Sequence, residues 1–207
     1  MLPREFQQVE YLESNRTQGI DTGVLVTDNY LRVQSKLKCT IQTTAGDSSK
    51  ARFFGSQKNP YASIVPWSTT ANRPFATIGV GSSFNINSPV VSYLNTVYEI
   101  DLTADNGRVY GEYCGGTLST TYNGTVATGY TEGLFFNHHS NDYTGATGNY
   151  GASAIYYHKI YTSSGLVRDY IPCYRKADRK PGMYDLISKT FFTNIGTGEF
   201  TVGPEIR

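Results

Sequence analysis

The sequence predicts an all-β domain, an antiparallel sandwich of two sheets, and three observations lead there. Composition is the first: 17 Tyr, 10 Phe and 21 Gly in 207 residues combine aromatic side chains that suit a pleated surface with the residue that suits tight turns. The second is a two-residue alternation of apolar and polar side chains in several windows. The third is negative, since no window holds apolar residues at three-and-four spacing beyond about two turns with caps at both ends.

Taken in order, Pro3 to Gln8 offers at most a short helical turn. Leu31 to Ile41 is the clearest strand, with Leu31, Val33, Leu37, Cys39 and Ile41 on one face and Arg32, Gln34, Lys36 and Lys38 on the other, as a period of two requires. Tyr98, Ile100 and Leu102 alternate with Glu99, Asp101 and Thr103, and Ala104-Asp105-Asn106-Gly107 turns the chain into Val109 to Tyr113, which reads as a hairpin. Asn123-Gly124 and Ser163-Ser164-Gly165 mark further turns. Ile155 to Tyr161 is apolar on both faces apart from His158 and Lys159, the pattern of a central strand. Loops are expected where Gly, Ser, Thr and Asn crowd together, at Thr43–Ser49, Ser68–Arg73, Gly115–Gly129 and Asn137–Gly151. Residues 1–207 show no repeat and no linker, so one sandwich domain is expected, each sheet supplying half of one core.

Net charge is +1 with Lys and Arg scattered, which gives no basic face for nucleic acid or an anionic membrane. Met1-Leu2-Pro3-Arg4-Glu5 lacks the apolar run of a secretory signal. The uncharged stretch Pro74 to Tyr98 is broken by Gly, Ser, Asn and Pro89, so no membrane insertion is expected. Cys39, Cys114 and Cys173 are an odd count without a close pair, which supports neither a disulfide framework nor a zinc site and leaves them as buried thiols.

Two long runs at the chain ends are distinctive. One is Leu2-Pro3, Phe6-Gln7-Gln8-Val9-Glu10-Tyr11-Leu12-Glu13-Ser14 and Thr17-Gln18-Gly19-Ile20-Asp21-Thr22-Gly23. The other joins Lys159-Ile160-Tyr161 and Leu166 to Lys176 with Gly182-Met183-Tyr184-Asp185-Leu186 and Phe191 to Phe200. Together they resemble the laminin-G-like, concanavalin A-like lectin/glucanase domains of phage and gut-bacterial surface proteins. The resemblance implies a jelly roll of two curved sheets with neighbouring chain ends, while the middle, Val24 to Asn149, matches in strand rhythm alone. Read as residues, Arg168-Asp169 suits a strand end, Pro172 a sheet edge, Tyr184 to Phe192 a hairpin whose aromatics fill the core, and Asn194 to Gly198 a turn with positive φ.

Such sandwiches serve as lectins, hydrolases and structural modules alike, so function has to come from a site. Retaining glycoside hydrolysis needs two carboxylates about 5 Å apart. Glu99 and Asp101 have a suitable spacing but sit on the exposed side of an amphipathic strand, and the glucanase pattern Glu-x-Asp-x-x-Glu is missing. The reading is therefore not an enzyme, with glycoside hydrolase kept as an outlier. Adjacent His138 and His139 make a poor transition-metal site and read as loop residues. Asn141 and Asp142 are candidates for a calcium ion, which takes oxygen ligands and is held by relatives in the family resembled. Sugar binding asks for aromatic rings in polar loops, with hydrogen-bonding neighbours for the hydroxyls. Tyr61, Trp67, Tyr122, Tyr130 and Tyr143 qualify, with His138 and His139 beside them. A lone Trp is more often core. The expectation is a non-catalytic recognition or adhesion module, carbohydrate-binding, on a phage virion or bacterial surface; its partners are a glycan or host-surface receptor, other virion proteins, or itself as a homo-oligomer. A structural virion protein is the rival.

Overall fold

The computed structural model describes residues 1–27, 30–40, 53–56, 62–68, 73–78, 83–85, 95–113, 116–121, 130–137, 149–150 and 152–207. Among them there is no helix, and hence none long and apolar enough to cross a membrane. The larger sheet contains β1 (Phe6–Gln8), β2 (Leu12–Asn15), β4 (Tyr30–Cys39), β9 (Val97–Asp105), β10 (Arg108–Tyr113), β11 (Gly116–Thr121), β15 (Ala152–Thr162), β16 (Gly165–Arg175), β17 (Pro181–Asp185), β18 (Thr190–Thr193) and β19 (Thr201–Val202). Its main order is β11-β10-β9-β4-β15-β16-β17-β18. The smaller sheet contains β3 (Ile20–Val26), β5 (Phe54–Ser56), β6 (Ala62–Ser68), β7 (Arg73–Ile78), β8 (Ser83–Asn85) and β12 (Tyr130–Leu134), in the order β3-β12-β5-β6-β7-β8. A ribbon of β13 (Phe136–Asn137) and β14 (Asn149–Tyr150) completes the described strands. All the pairings are antiparallel.

The core lies between the two sheets because alternation aims one face of each at the other. Leu31, Val33 and Leu37 of β4, Ile100, Leu102 and Ala104 of β9, and Ile155 and Ile160 of β15 join Ile20 and Val24 of β3, Phe54 of β5 and Leu134 of β12 in one buried cluster. Each such Leu, Ile, Val or Phe removes enough apolar surface from water to stabilise the fold by about 1.5–3 kcal/mol. The Asn106-Gly107 turn between β9 and β10 has positive φ at both positions (41° and 81°), the geometry that lets a two-residue turn follow the strand twist.

Among the described residues, two ionisable groups sit in that interior without a hydrogen-bond partner. Glu132 on β12 and His158 on β15 are almost wholly buried, and neither carboxyl oxygen nor either ring nitrogen has a hydrogen bond. Desolvation disfavours the charged form of each, pushing the Glu132 carboxyl up to about 8 and the His158 imidazole down to about 3. Phe54 and Tyr170 face the imidazole, with ring centroids 5.4 and 6.4 Å away.

The chain ends meet, as the family resemblance implied. Val9 bridges to Glu205, Glu10 N donates to Pro204 O (2.8 Å), and Ile206 N donates to Gln8 O (3.0 Å). The end motifs are structural. Arg168 donates to Thr22 O across to the smaller sheet (3.0 Å) and lies 3.6 Å from Asp185. Asp185 accepts from the backbone N–H groups of Asp169, Ile187 and Ser188. Burial alone would raise the Asp185 carboxyl, but these hydrogen bonds outweigh it and hold the group below its ordinary value. The β17–β18 hairpin stacks its aromatics against the N-terminal strand, Phe6 with Tyr184 (5.1 Å) and Phe191 (4.8 Å). Cys173 is a buried free thiol, pushed up to about 12 by desolvation.

Several expectations need correction. Arg168 and Asp169 do not stand at a strand end but lie inside β16, paired with Ile160 and Lys159. Pro3 to Gln8 is a turn, with Phe6 N donating to Pro3 O (3.1 Å), and then strand β1; the alternating partners of β16 draw it into the sheet. Gly116–Thr121, expected to be loop, is a paired strand, because β10 offers it a complete register. Trp67 lies within β6, where Pro66 and Trp67 occupy a register shift between Val65 and Ser68, so the missing proline N–H breaks no ladder bond. Pro172 does not mark an edge: β16 has β17 on one side and both β15 and β1 on the other, and the proline falls between those two partners.

Candidate functional site

Opposite the core, the outer face of the larger sheet is shaped by four neighbouring strands. Register places Arg32 beside Thr103 and Thr103 beside Tyr110; the next outward row is Gln34, Asp101 and Glu112. On β15, Tyr161 pairs with Arg32 and Tyr157 with Lys36. The alternation that buries Leu31, Val33, Ile100 and Leu102 therefore assembles these polar and aromatic side chains.

They are wired to one another. Arg32 donates to both carboxylate oxygens of Asp101, Nε to Oδ1 and Nη2 to Oδ2, each at 2.7 Å. Gln34 Nε2 donates to Asp101 Oδ2 (2.8 Å), and Tyr161 donates its hydroxyl to Gln34 Oε1 (2.7 Å). The guanidinium also lies over the Tyr161 ring, 5.0 Å from its centroid, a cation–π contact. Hydrogen bonding to Arg32 holds the Asp101 carboxyl below its ordinary value, with Gln34 adding to the effect and partial burial opposing it. The same bond pushes Arg32 further above its own.

Two adjoining hollows form a trough over this network. The larger, about 470 Å³, is lined by Tyr30, Arg32, Asp101, Thr103, Tyr110, Gly111 and Glu112. The smaller, about 160 Å³, is lined by Gln34, Glu99, Ile100, Asp101, Glu112 and Tyr157, so Asp101 and Glu112 belong to both. Gly111 is required beneath it: φ is +137°, and a Cβ there would lie 2.0 Å from the Asp101 carbonyl oxygen. Tyr110 remains 37% exposed, with the Arg108 guanidinium 5.5 Å from its ring centroid.

A trough of this kind can stack the apolar face of a ring while fixed donors and acceptors meet its polar rim. Asp101 is held ionised, while the strongly raised carboxyl, Glu132, is sealed in the core. Among the described residues no group of three or more His, Cys, Asp and Glu is arranged to hold a metal ion.

The residues nominated from sequence are not brought together here. Tyr61, Tyr122, His138, His139, Asn141, Asp142 and Tyr143 lie outside the described residues. Trp67 and Tyr130 stand on β6 and β12 of the smaller sheet, where their backbones alone are described. Sequence reasoning missed Tyr30, Tyr110, Glu112, Tyr157 and Tyr161 as one surface, although Arg32, Gln34, Glu99 and Asp101 were placed on polar strand faces. The signal was present in the alternation; the missing step was strand order and register.

No protein-family model matches the chain, and no curated protein matches its sequence. Among solved structures, the chain is similar to the native heptameric SAP-like pentraxin from Limulus polyphemus, with a TM-score of 0.58 at 12% identity, covering 99% of this chain and 97% of that one. A likeness at that identity speaks to fold, and together with the two described sheets it establishes an all-β, two-sheet antiparallel jelly-roll β-sandwich.

Proposed function

We propose that this chain is a non-catalytic recognition module that holds a glycan on the outer face of its larger sheet, and that it works on a phage virion or bacterial surface. The observation behind the reading is the trough, where tyrosine rings flank a hydrogen-bonded Arg32–Asp101–Gln34–Tyr161 network. Rings supply stacking for a pyranose, and groups already oriented by one another lose little freedom when they meet its hydroxyls. A glycan array tests this: Tyr110→Ala, at an exposed position, should weaken any array hit at least about tenfold, and an array without hits ends the reading. The aromatics Tyr61, Trp67, Tyr122, Tyr130 and Tyr143, with His138 and His139, remain proposed contacts, tested by Trp67→Ala and Tyr143→Ala on the same array. A calcium ion at Asn141 and Asp142 remains proposed too, tested by calorimetric titration with calcium.

A second reading, a structural virion protein binding copies of itself or other virion proteins, has one observation in its favour. β11, the last strand of the main order of the larger sheet among the described residues, is Gly-Thr-Leu-Ser-Thr-Thr, without the charge or proline that commonly guards an edge. Sedimentation showing stable oligomers would favour it; a monomer at all concentrations would remove it.

A further inference from the structure

We infer that the trough selects glycans bearing no negative charge, an inference that rests on the glycan reading of that face. Three carboxylates line its two hollows, Glu99, Asp101 and Glu112, against the single guanidinium of Arg32. That guanidinium is already committed, since both Asp101 oxygens accept from it at 2.7 Å. Glu99 and Glu112 have no ion pair among the described residues. Lys36, the register partner of Glu99, does not line the trough and turns toward Tyr156, 5.8 Å from its ring centroid.

An incoming carboxylate or sulfate would therefore meet two unpaired carboxylates in the lining itself, at a range where like charges are little screened, while the cations Arg108 and Lys36 stand at its margin over the rings of Tyr110 and Tyr156. A neutral sugar meets the same groups as hydrogen-bond acceptors. Glu99 and Glu112 act in this scheme as specificity determinants through repulsion.

The test uses the intact chain on an array that prints neutral oligosaccharides beside counterparts carrying sialic acid, uronic acid or sulfate, followed by titration of the best matched pair. The acidic member should bind about tenfold more weakly or worse than its neutral counterpart, and the gap should narrow at high salt in the unaltered protein. The double variant Glu99→Gln, Glu112→Gln keeps the side-chain shapes, and in it the acidic-to-neutral ratio should approach one. Equal or tighter binding of the acidic member, or a ratio that neither salt nor the double variant moves, overturns the inference and leaves the glycan reading standing. An array with no hit of either kind overturns both.

Discussion

Asp101 on the outer face of the larger sheet and the interior groups Glu132 and His158 are treated in opposite ways, while buried Asp185 is hydrogen-bonded as Asp101 is. On the outer face Asp101 is about two-fifths exposed, yet it accepts three hydrogen bonds from Arg32 and Gln34. In the interior, His158 and the facing sheet's Glu132 are sealed from water and have no hydrogen bond among the described residues. Stability alone would favour the reverse, since a buried polar group without a partner costs on the order of 1–3 kcal/mol, whereas an exposed ion pair contributes about 0–1 kcal/mol. The difference teaches that the outer network fixes geometry at a surface, while the interior tolerates two liabilities because both groups are held neutral.

Where the two faces share a backbone, disturbing one disturbs the other, and there the largest effect is expected. Gly111→Ala sets a Cβ 2.0 Å from the Asp101 carbonyl oxygen at a φ of +137°. Strain and overpacking together should cost on the order of 2–5 kcal/mol in urea unfolding, and array binding should fall with it. A loss under about 0.5 kcal/mol would show that β10 can move away from β9 without harm, and would break the link between faces. Next comes Asp185→Ala, remote from the trough, which strips the acceptor from the N–H groups of Asp169, Ile187 and Ser188. About 2–4 kcal/mol should be lost, with glycan affinity of the remaining folded protein unchanged.

The interior pair gives a third effect, read from pH. For Glu132 the folded value, about 8, stands above the ordinary 4.5, so its contribution is complete below 4.5 and is lost as pH rises toward 8. For His158 the folded value, about 3, stands below the ordinary 6.5, so its contribution is complete above 6.5 and is lost as pH falls toward 3. Between 4.5 and 6.5 the two slopes cancel. These groups therefore produce a plateau there, falling by roughly 2 kcal/mol on each limb. Glu132→Gln should flatten the alkaline limb and His158→Leu the acid limb, measured by urea unfolding across pH. A single variant that flattens both would mean that the groups titrate as a coupled pair.

Much of this architecture was legible from residues in isolation. Leu31 to Cys39 and Tyr98 to Leu102 declared their faces by alternation, and Asn106-Gly107 declared its hairpin. The end motifs pointed to a jelly roll with meeting termini. The trough was not legible, because Asp101 and Glu112 become neighbours through the β9–β10 register, and Gln34 joins them through β4, far away in the chain. His158 was noticed as an exception within an apolar strand, but alternation alone could not reveal that its ring would lie against Phe54 of the other sheet. Trp67 looked like a loop residue because Pro66 and Ser68 flank it, and the register shift that absorbs the proline depends on β7.

The smallest effect on stability sharpens the comparison most. Asp101→Asn keeps the shape of the side chain but removes the charge that both Arg32 bonds serve. Because the pair is partly exposed, with side-chain accessibilities of 33% and 41%, the loss should stay within about 1 kcal/mol. Tyr161→Phe removes the hydroxyl that orients Gln34 and should cost about 0.5–1 kcal/mol. If the network exists to present a surface, these two variants should lose far more in glycan affinity than in unfolding free energy. Equal losses in both measurements would reduce the outer face to ordinary strand pairing, and the contrast with the interior would be one of burial alone.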